Sequence, residues 1–389
     1  MDQKTLFVAD CARGTHSFSA LCQRYGVSRR SGYRLLDRFA HEGPGGLVER
    51  SRRPKHSPGA TPAQVITAVL ALRRRYGYGP KKLLELGRES DPALPWPAPS
   101  TVAAILHRHG VVRRRRRRRP LGHPGRPTTV AAAPNDIWTA DFKGHFKTFD
   151  GVYCYPLTIL DDYSRFLLRC QGLLAPTQVA ARRVFERLFR EYGLPTIIRT
   201  DNGVPFASCA GGRLSTLSVW WIRLGIYPEL IQPAHPEQNG RHERFHRTLK
   251  AATAIPPAAT LAAQQQRFVR FREEYNTVRP HEALHQRRPA ALYHPSPRPF
   301  PRDLPELEYP KHFELRYVSR NGGIRWERRW VNISHVLAEE FVGFEPMAEG
   351  IWDVWFGPVW LGRFDERRGE VTFLGPKKER RRLLPMSVE

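Results

Sequence analysis

The chain has 389 residues, long enough for roughly two to four domains, and its 63 Lys/Arg against 37 Asp/Glu leave a net charge of +26. That excess points to a polyanionic partner, nucleic acid before membrane, because no basic helix with a bulky apolar face stands out. The five cysteines (11, 22, 154, 170 and 209) form no CxxC or Cys/His cluster, which signals neither a zinc framework nor disulfides and fits a reducing cytosol; no leader-like N-terminus or long apolar run predicts a membrane span.

Residues 1–50 are predicted to be a helix-turn-helix DNA-binding domain. In SFSALCQRYGVSRRSGYRLLDRF, residues 17–39, Leu21, Tyr25, Val27, Tyr33 and Leu36 are expected inside, with Gly26 in the turn. Ser28 is a suitable N-cap for a second helix that presents Arg29, Arg30 and Arg34. A three-helix fold without a DNA role is the plainer alternative, and the local charge favours DNA. A Pro/Gly/Ser-rich linker leads to AQVITAVLALRRRY, GYGPKKLLEL and STVAAILHRHG, which read as a second helix-turn-helix-like unit over residues 60–112.

A basic linker, residues 113–134, opens on seven arginines: Arg113, Arg114, Arg115, Arg116, Arg117, Arg118 and Arg119. Like charges in such a run repel, so it is either a solvated linker or a strap along DNA phosphates. Residues 1–134 hold 26 Lys/Arg against 8 Asp/Glu, so +18 of the +26 lies before Asn135. An even coat of charge would not do this; a dedicated N-terminal DNA-binding region would.

From Asn135 the pattern changes. IWTADFKGHFKTF, GVYCYPLTILDD and RFLLRCQGLL alternate or run apolar, predicting three consecutive antiparallel strands. TQVAARRVFERLFREYG is predicted to be an amphipathic helix with Val179, Val184, Leu188 and Tyr192 along one side. TIIRTDNG is a short strand, LSTLSVWWIRLG a helix, ELIQP a strand and NGRHERFHRTLK a basic helix. The order β-β-β-α-β-α-β-α is that of an RNase H-like fold and fills residues 135–295, whose later part carries YNTVRPHEAL. Residues 310–376 hold five of the nine tryptophans among short strands and turn signals, which predicts a small C-terminal β-barrel. The expected fold class is multidomain α+β.

Asp141 falls in the first core strand and Asp201 at the end of the fourth, strands that an RNase H-like sheet makes neighbours. A third carboxylate on a facing helix would complete a hard-oxygen site for two Mg²⁺ ions about 3.5–4 Å apart, suited to in-line displacement at phosphorus. Each residue alone has an ordinary explanation: TDNG is a common turn, Asp141 suits an exposed strand position, and Glu243 can pair with Arg247 one turn on. Asp161 and Asp162 are expected in a hairpin turn, and His242 and His246 as packing or surface residues.

Together, WTADFKG, TDNGVPFAS, QPAHPEQNGRHERFHRTLK and YNTVRPHEAL resemble the catalytic core of DDE insertion-sequence transposases, within the retroviral-integrase superfamily. The resemblance covers most of the chain, although the His/Cys zinc-binding N-terminal domain of retroviral integrases is absent. It implies two aspartates, Asp141 and Asp201, one glutamate, and Mg²⁺, for which Mn²⁺ can substitute.

Counting favours Glu237, with 35 residues between it and Asp201, against 41 for Glu243. The motif favours Glu243, which follows the Pro…Gly segment, and a metal ligand is better held on a helix than in a Pro–Asn–Gly loop. AGGRLST is a plausible insertion that accounts for the six extra residues. Glu243 is therefore the expected third ligand, with Arg241, Arg244 and Lys250 beside it as phosphate contacts.

The implied function is a DNA transposase. It would bind terminal inverted repeats in double-stranded DNA, hydrolyse a phosphodiester to free a 3′-OH, and join that end to target DNA by transesterification. The implied setting is the bacterial cytoplasm at the nucleoid, with a homodimer or higher oligomer on DNA and no membrane. The alternatives are an inactive DNA-binding regulator and an RNase H-type nuclease.

Overall fold

The computed structural model describes residues 3–50, 59–112, 129–208, 211–231 and 240–373. Glu237 and the run Arg113–Arg119 lie outside the described residues. The chain divides into two compact units, Met1–Ala63 and Gln64–Glu389.

The first unit consists of α1 (Gln3–Arg13), α2 (Phe18–Arg24) and α3 (Arg29–Glu42). Ser28 caps α3, its hydroxyl accepting from the Ser31 amide at 3.1 Å, and Gly26 turns the chain at φ +62°. Phe7, Val8, Leu21, Cys22 and Leu47 form the core, with Tyr25, Val27 and Leu36 half-buried against it. Tyr33 is the exception to the expected packing, being 56% exposed and stacked on Phe18 from outside at 4.1 Å. The inward place belongs to its neighbour Gly32, where a Cβ would lie 2.8 Å from Phe18 and 2.9 Å from Cys22. Arg29, Arg30 and Arg34 are exposed on α3.

The second unit opens with α4 (Ala63–Tyr76), α5 (Pro80–Ser90) and α6 (Pro99–Arg108), packed around Val65, Val69, Leu83, Val102 and Leu106. Pro80 and Pro99 begin α5 and α6, where a missing amide hydrogen costs nothing.

The central sheet is built from β1 (Ile137–Phe142), β2 (Phe146–Lys147), β3 (Tyr153–Asp161) and β4 (Leu167–Leu173), then β5 (Ile197–Thr200) and β6 (Tyr227–Leu230). β1, β3 and β4 form an antiparallel meander, and β5 and β6 add in parallel beside β1, giving the order β4-β3-β1-β5-β6 with β2 also paired to β3. The parallel crossovers are α7 (Gln178–Tyr192) and α8 (Thr216–Arg223). α7 buries Ala181, Val184, Phe185, Leu188 and Phe189 against Trp138, Ile159 and Ile198. Val179, expected on that stripe, is 63% exposed. Five residues before Val184, it sits about 140° round the helix.

The opposite face of the sheet is covered by α9 (Gly240–Thr253) and α10 (Leu261–Glu273), through Phe245, Leu249, Phe268 and Phe271.

The C-terminal strands are β7 (Glu314–Tyr317), β8 (Gly323–Trp326), β9 (Arg329–Asn332), β10 (Phe341–Ala348), β11 (Ile351–Phe356), β12 (Val359–Asp365) and β13 (Glu370–Thr372). They do not close into the expected barrel. The order β13-β12-β11-β10-β7 is an open antiparallel sheet, and among the described residues β8 and β9 pair only with each other. The core is sealed by side chains instead: Trp326 of β8 lies 4.9 Å from Phe364, 5.0 Å from Phe344 and 5.1 Å from Trp352.

The same apolar cluster takes in Leu214, Val219 and Ile222, so this sheet shares its core with α8 and the segment before it. The glycines of AGGRLST allow that approach. A Cβ on Gly211 would lie 2.3 Å from the Phe373 ring, and one on Gly212 3.0 Å from Leu361. Among the described residues no helix is long and apolar enough to cross a membrane.

Candidate active site

The parallel pairing of β1 with β5 sets Ala140 opposite Thr200, so the next residues, Asp141 and Asp201, emerge at the same end of adjacent strands. Both carboxylates are largely withdrawn from water. Burial, then the charge of Asp201, and last that of Glu243 push the Asp141 carboxyl up to about 7. Burial also raises Asp201, against the Gly203 amide, which donates to its Oδ1 at 3.2 Å. Two acids held this way favour either protonation or a cation between them.

Glu243 lies on the exposed side of α9, in its first turn. The helix is fixed from its other side by His242, Phe245, His246 and Leu249, all buried. His242 Nε2 and His246 Nε2 lie 2.7 and 2.8 Å from Thr158 Oγ1, and His242 Nδ1 lies 3.2 Å from Thr139 Oγ1. Thr158, opposite Asp141 in the β1–β3 register, donates its hydroxyl to the Asp141 carbonyl oxygen at 3.1 Å.

A hydroxyl carries a single hydrogen, so at least one of the two imidazoles donates to Thr158 from Nε2. His246 Nδ1 lies 3.7 Å from Asp141 Oδ2. Burial pushes His246 down to about 3 and His242 well below the usual imidazole range, so both are neutral. Asp141, His242 and His246 place ligand-type atoms within 4.8 Å of one another. Both histidines are thus packing residues, one of the two expected alternatives, and the i, i+4 spacing in HERFH, with Phe245 between, marks their shared inward face.

Arg241, expected on phosphate, pairs with Asp162 at 2.8 and 3.0 Å and keeps half its side chain exposed. Asp162 is buried and also holds Arg165 at 2.8 Å, which ties the start of α9 to the β3–β4 turn. Asp161, the last residue of β3, braces the same turn, accepting from the Ser164 amide and hydroxyl and from the Asn135 amide. Arg244 and Lys250 are exposed on α9, as is Glu243.

One consequence is measurable without DNA. The raised Asp141 carboxyl contributes stability that is fully present below its unfolded value near 3.8 and is lost as pH rises through about 7. Asp141→Asn is therefore expected to be more stable than the unaltered, metal-free protein at pH 8, by on the order of a few kcal/mol, with the gap closing toward pH 4. Calorimetric melting across that range checks it.

Residues 131–236 and 224–289 each match an integrase core domain family, and residues 3–55 match a helix-turn-helix domain family. The chain is similar to an uncharacterized 31.7 kDa protein of insertion element IS407 from Burkholderia multivorans, 26% identical over 275 residues that make up 70% of this chain and 92% of the relative. It is also similar to an uncharacterized 39.2 kDa protein of insertion element IS476 from Xanthomonas euvesicatoria, 28% identical over 248 residues, 61% of this chain and 67% of the relative. Among solved structures, a chain of the simian T-cell lymphotropic virus intasome in complex with a PP2A regulatory subunit aligns over 75% of this chain and 97% of its own, with 18% identity and a TM-score of 0.36.

Proposed function

We propose, for a chain that is an insertion-element transposase with an integrase-type core, that Asp141, Asp201 and Glu243 hold the divalent cations with which it cuts element ends and joins them to target DNA. The observation that carries this reading is the placement of Asp141 near the end of β1 and Asp201 just past the end of the adjacent β5, each pushed up by burial, Asp141 further by the charge of Asp201. The donor set fits Mg²⁺ or Mn²⁺: carboxylate oxygens at a strand-end site, with the nearby imidazoles committed to Thr158. Two such ions, when bound, activate the attacking oxygen and stabilise the leaving one in displacement at phosphorus.

The rest falls to the chain's own residues, on what we read as an RNase H-like sheet. The strand ends hold Asp141 and Asp201 in place, and the buried face of α9 fixes the helix that presents Glu243. Arg244 and Lys250 on that helix would hold phosphates. Hydrolysis would free a 3′-OH at the element end, and the same site would then transfer that end to target DNA, with no covalent protein intermediate. Arg29, Arg30 and Arg34 on α3 would read the end in the major groove. Joining two ends to one target calls for at least two copies of the chain on DNA, and a bacterial nucleoid is the fitting place.

Incubation with labelled element ends, a target plasmid and Mg²⁺ should give strands covalently joined to target. Nicks without joined strands would favour a nuclease instead, and bound but uncut DNA a regulator.

A further inference from the structure

The motif YNTVRPHEAL and the residues after it have no part in the site described above, yet they touch both the catalytic core and the helical module α4–α6. On the core side, the Asn276 amide meets the backbone of Leu167 on β4 from both ends, accepting at 2.8 Å and donating at 3.0 Å. Tyr275 packs edge-on against Phe245 of α9, the helix that carries Glu243, at 5.2 Å. On the module side, Val278 joins the apolar core of α4–α6. Tyr78 donates its hydroxyl to Glu274 at 2.5 Å, Arg279 stacks 4.8 Å from the Tyr78 ring, and Arg288 holds Glu89 of α5 through both terminal nitrogens.

We propose that residues 274–288 are a clamp that fixes the helical module on the core, so that DNA held on the module is delivered to the carboxylates at a set distance. Tyr78, Arg279 and the Glu89–Arg288 pair are then positioning residues for the place of the cut. The inference rests on the function proposed above. The docked module leaves Ser100, Ala103, His107 and Arg108 of α6 exposed, a small-and-basic face suited to a DNA groove. Covalent connection alone does not set the distance, since residues 109–128 lie between α6 and Thr129, which is hydrogen-bonded to Glu229 and Arg199 of the core, and a chain of that length can reach up to ~70 Å. Contacts at residues 274–288 do set it.

A charge swap tests this on the full-length chain. The forms compared are the unaltered protein, Arg288→Glu, Glu89→Arg and the double variant Glu89→Arg/Arg288→Glu, with Val278→Asp as a stronger opening of the same contact. The readouts are the nucleotide position of nicks on a labelled element-end duplex and amide exchange in α5. Each single reversal should lower the correctly placed cut about tenfold and scatter nicks to neighbouring positions, because small misplacements are costly in phosphoryl transfer. Affinity for the end should stay unchanged, α5 exchange should rise, and the double variant should restore both readouts. Singles and Val278→Asp that keep α5 protected, or that lose protection yet cut at the same place and rate, would overturn the clamp. If the unaltered chain cuts nothing, the function reading fails and the exchange comparison alone decides the clamp.

Discussion

Asp141→Asn, Asp201→Asn and Glu243→Gln should each reduce end cleavage and strand transfer by about 10³-fold or more, the scale on which enzymes respond to loss of a charge-stabilising group. The substitutions keep side-chain shape and remove only charge, so DNA binding and cooperative melting should survive. For Asp141→Asn the melting temperature should rise, because burial and the charge of Asp201 already work against that carboxylate. Loss of activity with a gain in stability separates a functional charge from a structural one.

Glu237→Gln is the control, and it should retain activity. Glu237 lies outside the described residues, so the choice rests on Glu243 being carried by α9, whose inner face is buried against β1 and β3. A dead Glu237→Gln beside an active Glu243→Gln would reverse the assignment and vindicate the 35-residue count.

Affinity for element ends should fall steeply with salt, by about 10³–10⁵ between 50 and 200 mM for a protein that makes six to ten phosphate contacts. Replacing Arg113–Arg119 by serine should flatten the log–log slope by several, since each phosphate neutralised contributes about 0.9, while sequence preference stays. Replacing Arg29, Arg30 and Arg34 by alanine should do the reverse. Those side chains stand exposed on α3, the position from which a recognition helix reads base edges, so preference should vanish while much of the salt dependence remains. Binding titrations on specific and scrambled duplexes at several salt concentrations check both. An unchanged slope in the serine variant would make the run a solvated linker and leave the electrostatic footprint to the helices.

Local pattern carried the core elements well. Alternation in WTADF, the amphipathic pattern of TQVAARRVFERLFREYG and the apolar run in TIIRT each state their own conformation, and chain order then constrains which strands can meet. Closure of the C-terminal sheet was not legible. Whether β13 and β7 pair with each other depends on edge hydrogen bonding, which side-chain pattern does not encode, and Trp326 seals that core without it.

Tyr33 was misplaced because helix periodicity cannot show that Gly32 makes room for a close approach of neighbouring helices. That Asp141 and Asp201 come at the ends of neighbouring strands was legible from the element order, whereas the link from Asp141 through Thr158 to two histidines joins residues 17 to 105 positions apart and needed the fold. The clamp at residues 274–288 was invisible for the same reason. Its partners Tyr78 and Glu89 are nearly two hundred residues away.

The most direct test of the proposed site is anomalous scattering from Mn²⁺ in crystals of the protein bound to an element-end duplex. Two manganese positions are expected in contact with Asp141 and Asp201, one of them also with Glu243, and both should disappear in Asp201→Asn. A manganese held by Asp141, His242 and His246, with Asp201 and Glu243 uninvolved, would contradict it.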